Sequence, residues 1–279
     1  MTGSGMPRSL VRLSTDFKEK VWGSTHLKPW YESEGRLIGE VWFTNAPPPP
    51  LLVKFIFTEE NLSVQVHPDD RFAAEHEHSR GKTEMWHILR AAPGARVALG
   101  FREEISRERL RDAVISGEIM ELLSWFEARP GDTFFIPAGT VHAIGAGLVL
   151  CEVQQQSDVT YRLYDYGRGR ELHLEKGLQV ANRGAHPGYS TPTALPGGGT
   201  LLAECDYFRT ELWTYTGSLE HHPTGESAEI LVFLAGEGLI AREPFRLGEA
   251  WLNSGNQTIA IAPGGEVTML RTFVPQAFI

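Results

Sequence analysis

The sequence predicts a mainly β protein built from two related β-barrels of jelly-roll type, the first carrying a small helical insertion and the second degenerate. Three observations carry this expectation. Short strand-like runs separated by Gly/Pro turn signals recur along the chain, a rhythm that fits a sandwich or barrel better than alternating βαβ units. One segment alone has helical spacing. A faint internal repeat matches "RPGDTFFIPAGTVHAIG" in the first half with "RLGEAWLNSGNQTIAIAP" in the second.

Residues 1–15 read as a flexible tail. The runs "LIGEVWF", "LLVKFIF", "LSVQVH", "TEMWHIL" and "ARVALGF" then read as strands between turns such as "APPPP" and "APGA". "SRERLRDAVISGEIMELLSWF", 106–126, sets Leu110, Ala113, Val114, Ile119, Leu122, Leu123 and Phe126 at mostly helical spacing. Ser106 is its expected N-cap and Ser116-Gly117 an expected break, so a helical insertion is placed at about 104–127. "DTFFIPAG", "LVLCEVQQ" and "VTYRLYDY" complete a first unit, residues 16–182. The Gly/Pro-rich stretch 183–200 reads as a linker, and residues 201–279 as the second barrel. In that second copy Asn256 or Gln257 is expected where the first has His142, so only the first copy keeps its polar machinery.

The chain has 279 residues, 42% hydrophobic and 22% charged, enough for one large or two modest domains. No apolar run is long enough to span a bilayer, and "MTGSGMPRSLVRLSTDF" lacks the apolar core of a secretory signal. Cys151 and Cys205 make no disulfide framework, so a reducing cytoplasm is expected. A net charge of −9 without a basic cluster argues against nucleic acid, and leaves a small anion only where Lys and Arg gather locally.

The chemistry lies in three polar clusters. "NLSVQVHPDD" alternates Leu62, Val64 and Val66 against Ser63, Gln65 and His67, so one face of the strand is apolar and the other faces either water or a site. Lys82 and Glu84 share a face in "GKTEMW", and His142 follows the tight turn "PAGT". Two imidazoles with two oxygen donors can surround zinc, manganese, iron or cobalt. The plain alternative for each residue is an exposed or hydrogen-bonded strand position. His76, His78, His221 and His222 are expected at the surface, His87 on the face opposite Glu84, and Cys151 in packing, opposite Glu152.

"GDTFFIPAGTVH" resembles the second motif of the cupin superfamily, whose histidine binds metal in a small β-barrel. With "VWGSTHL", "GEVW", "LLVKF", "LSVQVHPDD", "GKTEMW" and "QQQSDVTYRLYDYGR", the chain resembles the short bacterial form of type I mannose-6-phosphate isomerases. The resemblance implies two cupin-like β-barrels, the second metal-free. It implies one zinc, or another divalent metal, per chain, with Gln65, His67, Glu84 and His142 as ligands. Lys54, Ser63 and Arg162 would lie near the phosphate of a small sugar phosphate, in a monomer or small homo-oligomer. Glu152 and Lys82 would be polar site residues. Gly81 stands where longer relatives carry a histidine, so that residue's proton-shuttling role does not transfer.

Aldose–ketose interconversion moves a proton between C1 and C2 through an enediol(ate). It needs a carbonyl polariser, a base and an anion clamp. Lys82, Glu152 and Arg162 are the catalytic candidates, with Lys82 favoured as base and Arg162 as clamp or charge stabiliser. Glu152 needs a partner if buried, from Arg162 or the metal's surroundings. The competing readings are an isomerase of an unphosphorylated sugar and a non-catalytic sugar-binding cupin.

Overall fold

The computed structural model describes residues 10–223, 228–255 and 258–275. The first half contains β1 (Leu10–Arg12), β2 (Ser14–Ser24), β3 (Ile38–Thr44), β4 (Leu51–Phe57), β5 (Val64–Val66), β6 (Glu84–Ala91), β7 (Arg96–Phe101), β8 (Leu123–Glu127), β9 (Thr133–Ile136), β10 (His142–Ile144), β11 (Leu148–Gln155) and β12 (Tyr161–Tyr164). Its helices are α1 (Asp70–Glu77), α2 (Arg107–Ser116), α3 (Ile119–Leu122) and α4 (Leu174–Val180). The second half adds β13 (Thr193–Ala194), β14 (Thr200–Glu204), β15 (Arg209–Tyr215), β16 (Leu219–His221), β17 (Glu229–Ala235), β18 (Glu237–Ile240), β19 (Glu243–Arg246), β20 (Ala250–Asn253), β21 (Ile259–Pro263) and β22 (Val267–Phe273). No helix among the described residues is long and apolar enough to cross a membrane.

Sheet β2-β3-β4-β11-β6-β9 closes against sheet β12-β5-β10-β7-β8, and sheet β13-β14-β15-β22-β17-β20 closes against β16-β21-β18-β19. Strands β4 to β11 and β15 to β22 therefore follow one another in the same order with the same neighbours. This is the twofold repeat the sequence hinted at. Period-2 alternation explains why β4, "LLVKFIF", is apolar on both faces. Val53, Phe55 and Phe57 point to a core shared with Phe208, Ile230, Val232 and Leu270 of the second barrel. Ile56, on the other face, joins Trp86, Phe134, Ile144 and Leu150 inside the first barrel. Each fully buried Phe here contributes about 1.5–3 kcal/mol, so the seam between barrels is as apolar as either interior.

Several expectations need correction. The tail is not loose from residue 10. Leu10–Arg12 pair with β20 and Ser14–Thr15 with β3, because Leu13 is buried in the shared core and β20 offers an open edge. The helical insertion ends at Leu122. Leu123–Glu127 forms β8 on the edge of β7, which suits the aromatic pair Trp125-Phe126. The stretch 183–200 lies strapped to the first barrel, with Phe101 N donating to Gly184 O and Ser190 N to Thr133 O, before β13 begins the second sheet. Asn256 and Gln257 lie outside the described residues. Ile259 occupies the place of His142: Asn253 pairs with Glu229 as Ile136 pairs with Glu84, and six residues follow in each copy.

Helices α2 and α4 cover the outer face of the five-stranded sheet, burying Leu110, Ala113, Val114 and Leu178 against Val64, Val66, Ala143 and Leu163. Ser106 caps α2 as expected, accepting from Arg109 N at 3.0 Å. Helices α1 and α4 are not among the elements expected from the sequence. Helix α1 is short and polar, buries only Ala73, and is started by Asp69, whose carboxylate accepts from Phe72 N at 2.8 Å.

His221, expected at the surface, is buried, with Nε2 2.8 Å from Glu229 Oε1. Arg271 Nε and Asn253 Nδ2 also donate to Glu229, at 2.7 and 2.9 Å. Burial alone would raise the Glu229 pKa, but the His221 hydrogen bond and charge and the Arg271 charge outweigh it and bring it down to about 2. Because the folded pKa is depressed from 4.5, its contribution is complete above about pH 4.5 and is lost as pH falls toward 2. At about 1.4 kcal/mol per pKa unit the loss is on the order of 3 kcal/mol. Thermal melts across this window should fall more steeply for the native protein than for Glu229→Gln.

Candidate metal centre and cleft

The polar face of β5 turns away from water, with Ser63 and His67 buried and Gln65 half-buried. Val64 and Val66 face the helices, which turns Gln65 into the barrel, opposite His142 in the β5–β10 ladder. His67 follows directly. Glu84 is the first residue of β6, and the β6–β11–β4 register sets Trp86, Glu152 and Lys54 side by side. His142 begins β10 after a turn in which Gly139 adopts φ +86°. A Cβ there would stand 2.9 Å from Asn182 Nδ2 and 3.0 Å from the Val180 carbonyl. Gly139→Ala should therefore cost about 1–3 kcal/mol, lower the melting temperature, and weaken metal binding by displacing His142. A melt with parallel metal titration checks both.

The expected ligands converge. One ligand atom each from His67, Glu84 and His142 lies within 4.8 Å of the others. His67 Nε2 is 3.7 Å from Glu84 Oε2, His142 Nε2 is 3.5 Å from Glu84 Oε1, and Gln65 Nε2 is 3.2 Å from His142 Nε2. Each imidazole has a backbone carbonyl at Nδ1: Val159 O at 2.9 Å for His67 and Thr140 O at 2.8 Å for His142. A carbonyl only accepts, so both Nδ1 atoms carry the proton and both Nε2 lone pairs face the centre. Burial is the main reason the imidazoles stay neutral. It takes His142 down to about 3 and His67 well below its ordinary value, with Lys82 adding to the effect at both.

Glu84 is fully buried. Lys82 Nζ approaches its Oε2 to 2.6 Å, yet off the hydrogen-bond direction, so neither Glu84 oxygen has an aligned donor. Burial first, and the Glu152 charge second, push its pKa up. A buried carboxylate with poorly aligned compensation, beside two neutral imidazole lone pairs, is a donor set that a divalent cation would stabilise. The residues present fit such an ion. Gln65 presents its amide nitrogen to His142, and a half-turn of the amide puts Oε1 there instead.

Glu152 is the other buried carboxylate. Its partners are Lys54 Nζ at 3.1 Å, Trp86 Nε1 at 2.9 Å and Lys82 Nζ at 3.7 Å, not Arg162. Burial would raise its pKa, but Lys54 and Lys82 override that and hold it low. Lys82 Nζ also lies 3.1 Å from His67 Nε2. Lys54, buried under Trp42 at 4.7 Å from the ring centroid, is raised in pKa because Glu152 and Glu40 outweigh burial.

A cleft of about 470 Å³ opens over this centre, and Lys54, Ser63, Gln65, Lys82, Glu152 and Arg162 all line it. Arg162 is half-buried, donates from NH1 to Glu171 O at 2.8 Å, and has a buried Nε without a hydrogen-bond partner among the described residues. Sequence reasoning missed Lys18, Lys20, Trp42 and Arg170, which line the same cleft. Only Trp42 lay inside a quoted motif. His87 packs away from the centre, 3.0 Å from Thr133 Oγ1, and Cys151 belongs to the shared core; both match expectation.

No family model matches the chain. It is 33% identical over 273 residues to the mannose-6-phosphate isomerase of Streptococcus mutans, covering 82% of this chain and 85% of that protein. It is 39% identical over 220 residues to the mannose-6-phosphate isomerase ManA of Bacillus subtilis, covering 73% and 68%. The crystal structure of the mannose 6-phosphate isomerase from Bacillus subtilis superposes with a TM-score of 0.85 at 28% identity, covering 95% of this chain and 99% of that one.

Proposed function

Since the chain belongs to the mannose-6-phosphate isomerases, an aldose–ketose isomerase family, we propose that its first-barrel cleft interconverts mannose 6-phosphate and fructose 6-phosphate. In this reading residues 16–182 form the catalytic unit. Gln65, His67, Glu84 and His142 hold one divalent ion, and two neutral imidazole nitrogens with a carboxylate favour zinc. The observation that carries the reading is that His67, Glu84 and His142 converge within 4.8 Å in contact with Gln65 and Lys82, which line the cleft together with Glu152 and Arg162.

When bound, the ion polarises the sugar oxygens at the reacting carbons. The chain's own groups do the rest. Lys82 Nζ, at the centre of the floor, carries the proton between C1 and C2. Glu152, held low in pKa chiefly by Lys54 and Lys82, orients the free amine of Lys82 and balances the charge that amine gains when it takes the proton from carbon. Arg162 and Ser63 take the phosphate, helped by Arg170. Burial and the Arg170 charge together press the Arg162 pKa down, an electrostatic tension that an anion between the two guanidinium groups would relieve. Lys54 is tied to Glu152, so its part is to hold that carboxylate rather than to contact phosphate directly.

The test is a coupled assay of fructose 6-phosphate formation. Mannose 6-phosphate should turn over, turnover should vanish on chelation and return with zinc, and free mannose should react far more slowly. Equal rates for mannose and its phosphate would shift the reading to an isomerase of an unphosphorylated sugar. No turnover in any state would overturn it.

A further inference from the structure

The second barrel repeats the register of the active centre with the charges exchanged. Glu84 opens β6, and two residues later Trp86 lies opposite Glu152, which lies opposite Lys54. Glu229 opens β17, and two residues later Leu231 lies opposite Arg271, which lies opposite Glu211. Gln65 pairs with His142 in the first barrel; His221 pairs with Ile259 in the second. Thus Glu229 stands for Glu84, Arg271 for Glu152, Glu211 for Lys54 and His221 for Gln65. Ile259, in the place of His142, removes a ligand that a metal would need.

The positive charge is instead built in. Arg271 Nε donates to Glu229 Oε2 at 2.7 Å, and its NH1 lies 3.4 Å from Glu211 Oε2. A guanidinium in the low-dielectric floor compensates the carboxylate that corresponds to the metal-ligating Glu84. Above it, a cleft of about 350 Å³ is lined by Arg209, Glu211, Trp213, Tyr215, His221 and Arg271, among others. Trp213 and Tyr215 are half-buried and lie parallel, ring centroids 5.9 Å apart. Aromatic surface beside fixed ionic donors and acceptors suits a ligand with an apolar face and many hydroxyls.

Charge balance then selects between ligands. The first cleft is lined by the cations Lys18, Lys20, Lys54, Lys82, Arg162 and Arg170 and the acids Glu40, Glu152 and Asp158, while Asp16, Glu84 and Asp165 pair with Lys18, Lys82 and Arg170 from outside the lining. The second is lined by Arg209 and Arg271 with Glu211 and Glu220, and Glu204 and Glu229 also pair with the two arginines, so no excess of positive charge is left for an anion. We propose that the cleft over Arg271 is a second, metal-independent site that binds a neutral hexose rather than a sugar phosphate. The proposal does not rest on the catalytic reading of the first barrel.

Saturation-transfer NMR on the full zinc-loaded chain tests it, using mannose, glucose and galactose at roughly 10 mM, above a millimolar dissociation constant. At least one hexose should receive saturation that persists under excess mannose 6-phosphate, which fills the first cleft. The signal should persist in His142→Ala and fall by at least half in Trp213→Leu. His222→Ala, an exposed change at the rim of the same cleft, should also weaken it, and thermal melts report whether each variant is folded. The proposal is overturned if no hexose gives a signal, if mannose 6-phosphate abolishes it, or if folded Trp213→Leu and His222→Ala leave it unchanged.

Discussion

His142→Ala should leave a folded protein that neither retains zinc nor turns over mannose 6-phosphate. The side chain is wholly buried at the start of β10, with its Nε2 3.5 Å from Glu84 and its Nδ1 on the Thr140 carbonyl. Changes to groups that merely orient a metal ligand already cost 10–100-fold in affinity. Loss of a ligand itself should exceed about 100-fold, and activity should fall with metal content. The fold should survive, because the apolar cores of the barrel and of the seam do not depend on His142. Metal analysis, a coupled assay and a melt on one preparation give all three readings. Undiminished zinc would remove His142 from the centre.

Lys82→Met should separate chemistry from metal binding. The substitution keeps the length and apolar stem of a side chain that is only 4% exposed, while removing an amine placed within 3.7 Å of both Glu84 and Glu152. A lost acid–base group typically costs about 10²–10⁴-fold in kcat. Zinc content should stay near that of the native protein, since Lys82 competes for His67 and Glu84 rather than ligating the ion. Lys82→Arg, which keeps the charge but holds its proton, should be equally slow. A kcat within about threefold of native for either variant would assign the proton to another group.

The fold and the floor of the site were legible in the sequence to different depths. Short apolar runs between turn signals located most strands of the first barrel but not β1, β2 or β8, and the "RPGDTFFIPAGTVHAIG" repeat pointed to the second. What alternation could not show was partnership. Leu10–Arg12 looks like a tail until the open edge of β20 is known, and Leu123–Phe126 reads as helix until β7 offers a place to pair. His221 looked exposed in "EHHP" because its partner Glu229 begins another strand. At the site, residue type and motif spacing singled out the side chains that converge on Glu84, and the family resemblance grouped them as one expected ligand set. Two placements depended on registers between strands far apart in sequence. Glu152 pairs with Lys54 and Trp86 rather than Arg162, and the charge exchange at Glu211 and Arg271 appears only when β15 and β22 are laid beside β4 and β11.

The most direct test of the metal centre is anomalous diffraction at the zinc edge from crystals of the zinc-loaded, active protein. One strong peak per chain is expected, within about 2.0–2.2 Å of His67 Nε2, His142 Nε2 and a Glu84 oxygen, with the Gln65 amide turned to offer Oε1 and no peak over Arg271. A peak bound elsewhere, or none in crystals of a protein that still isomerises mannose 6-phosphate, would contradict this assignment.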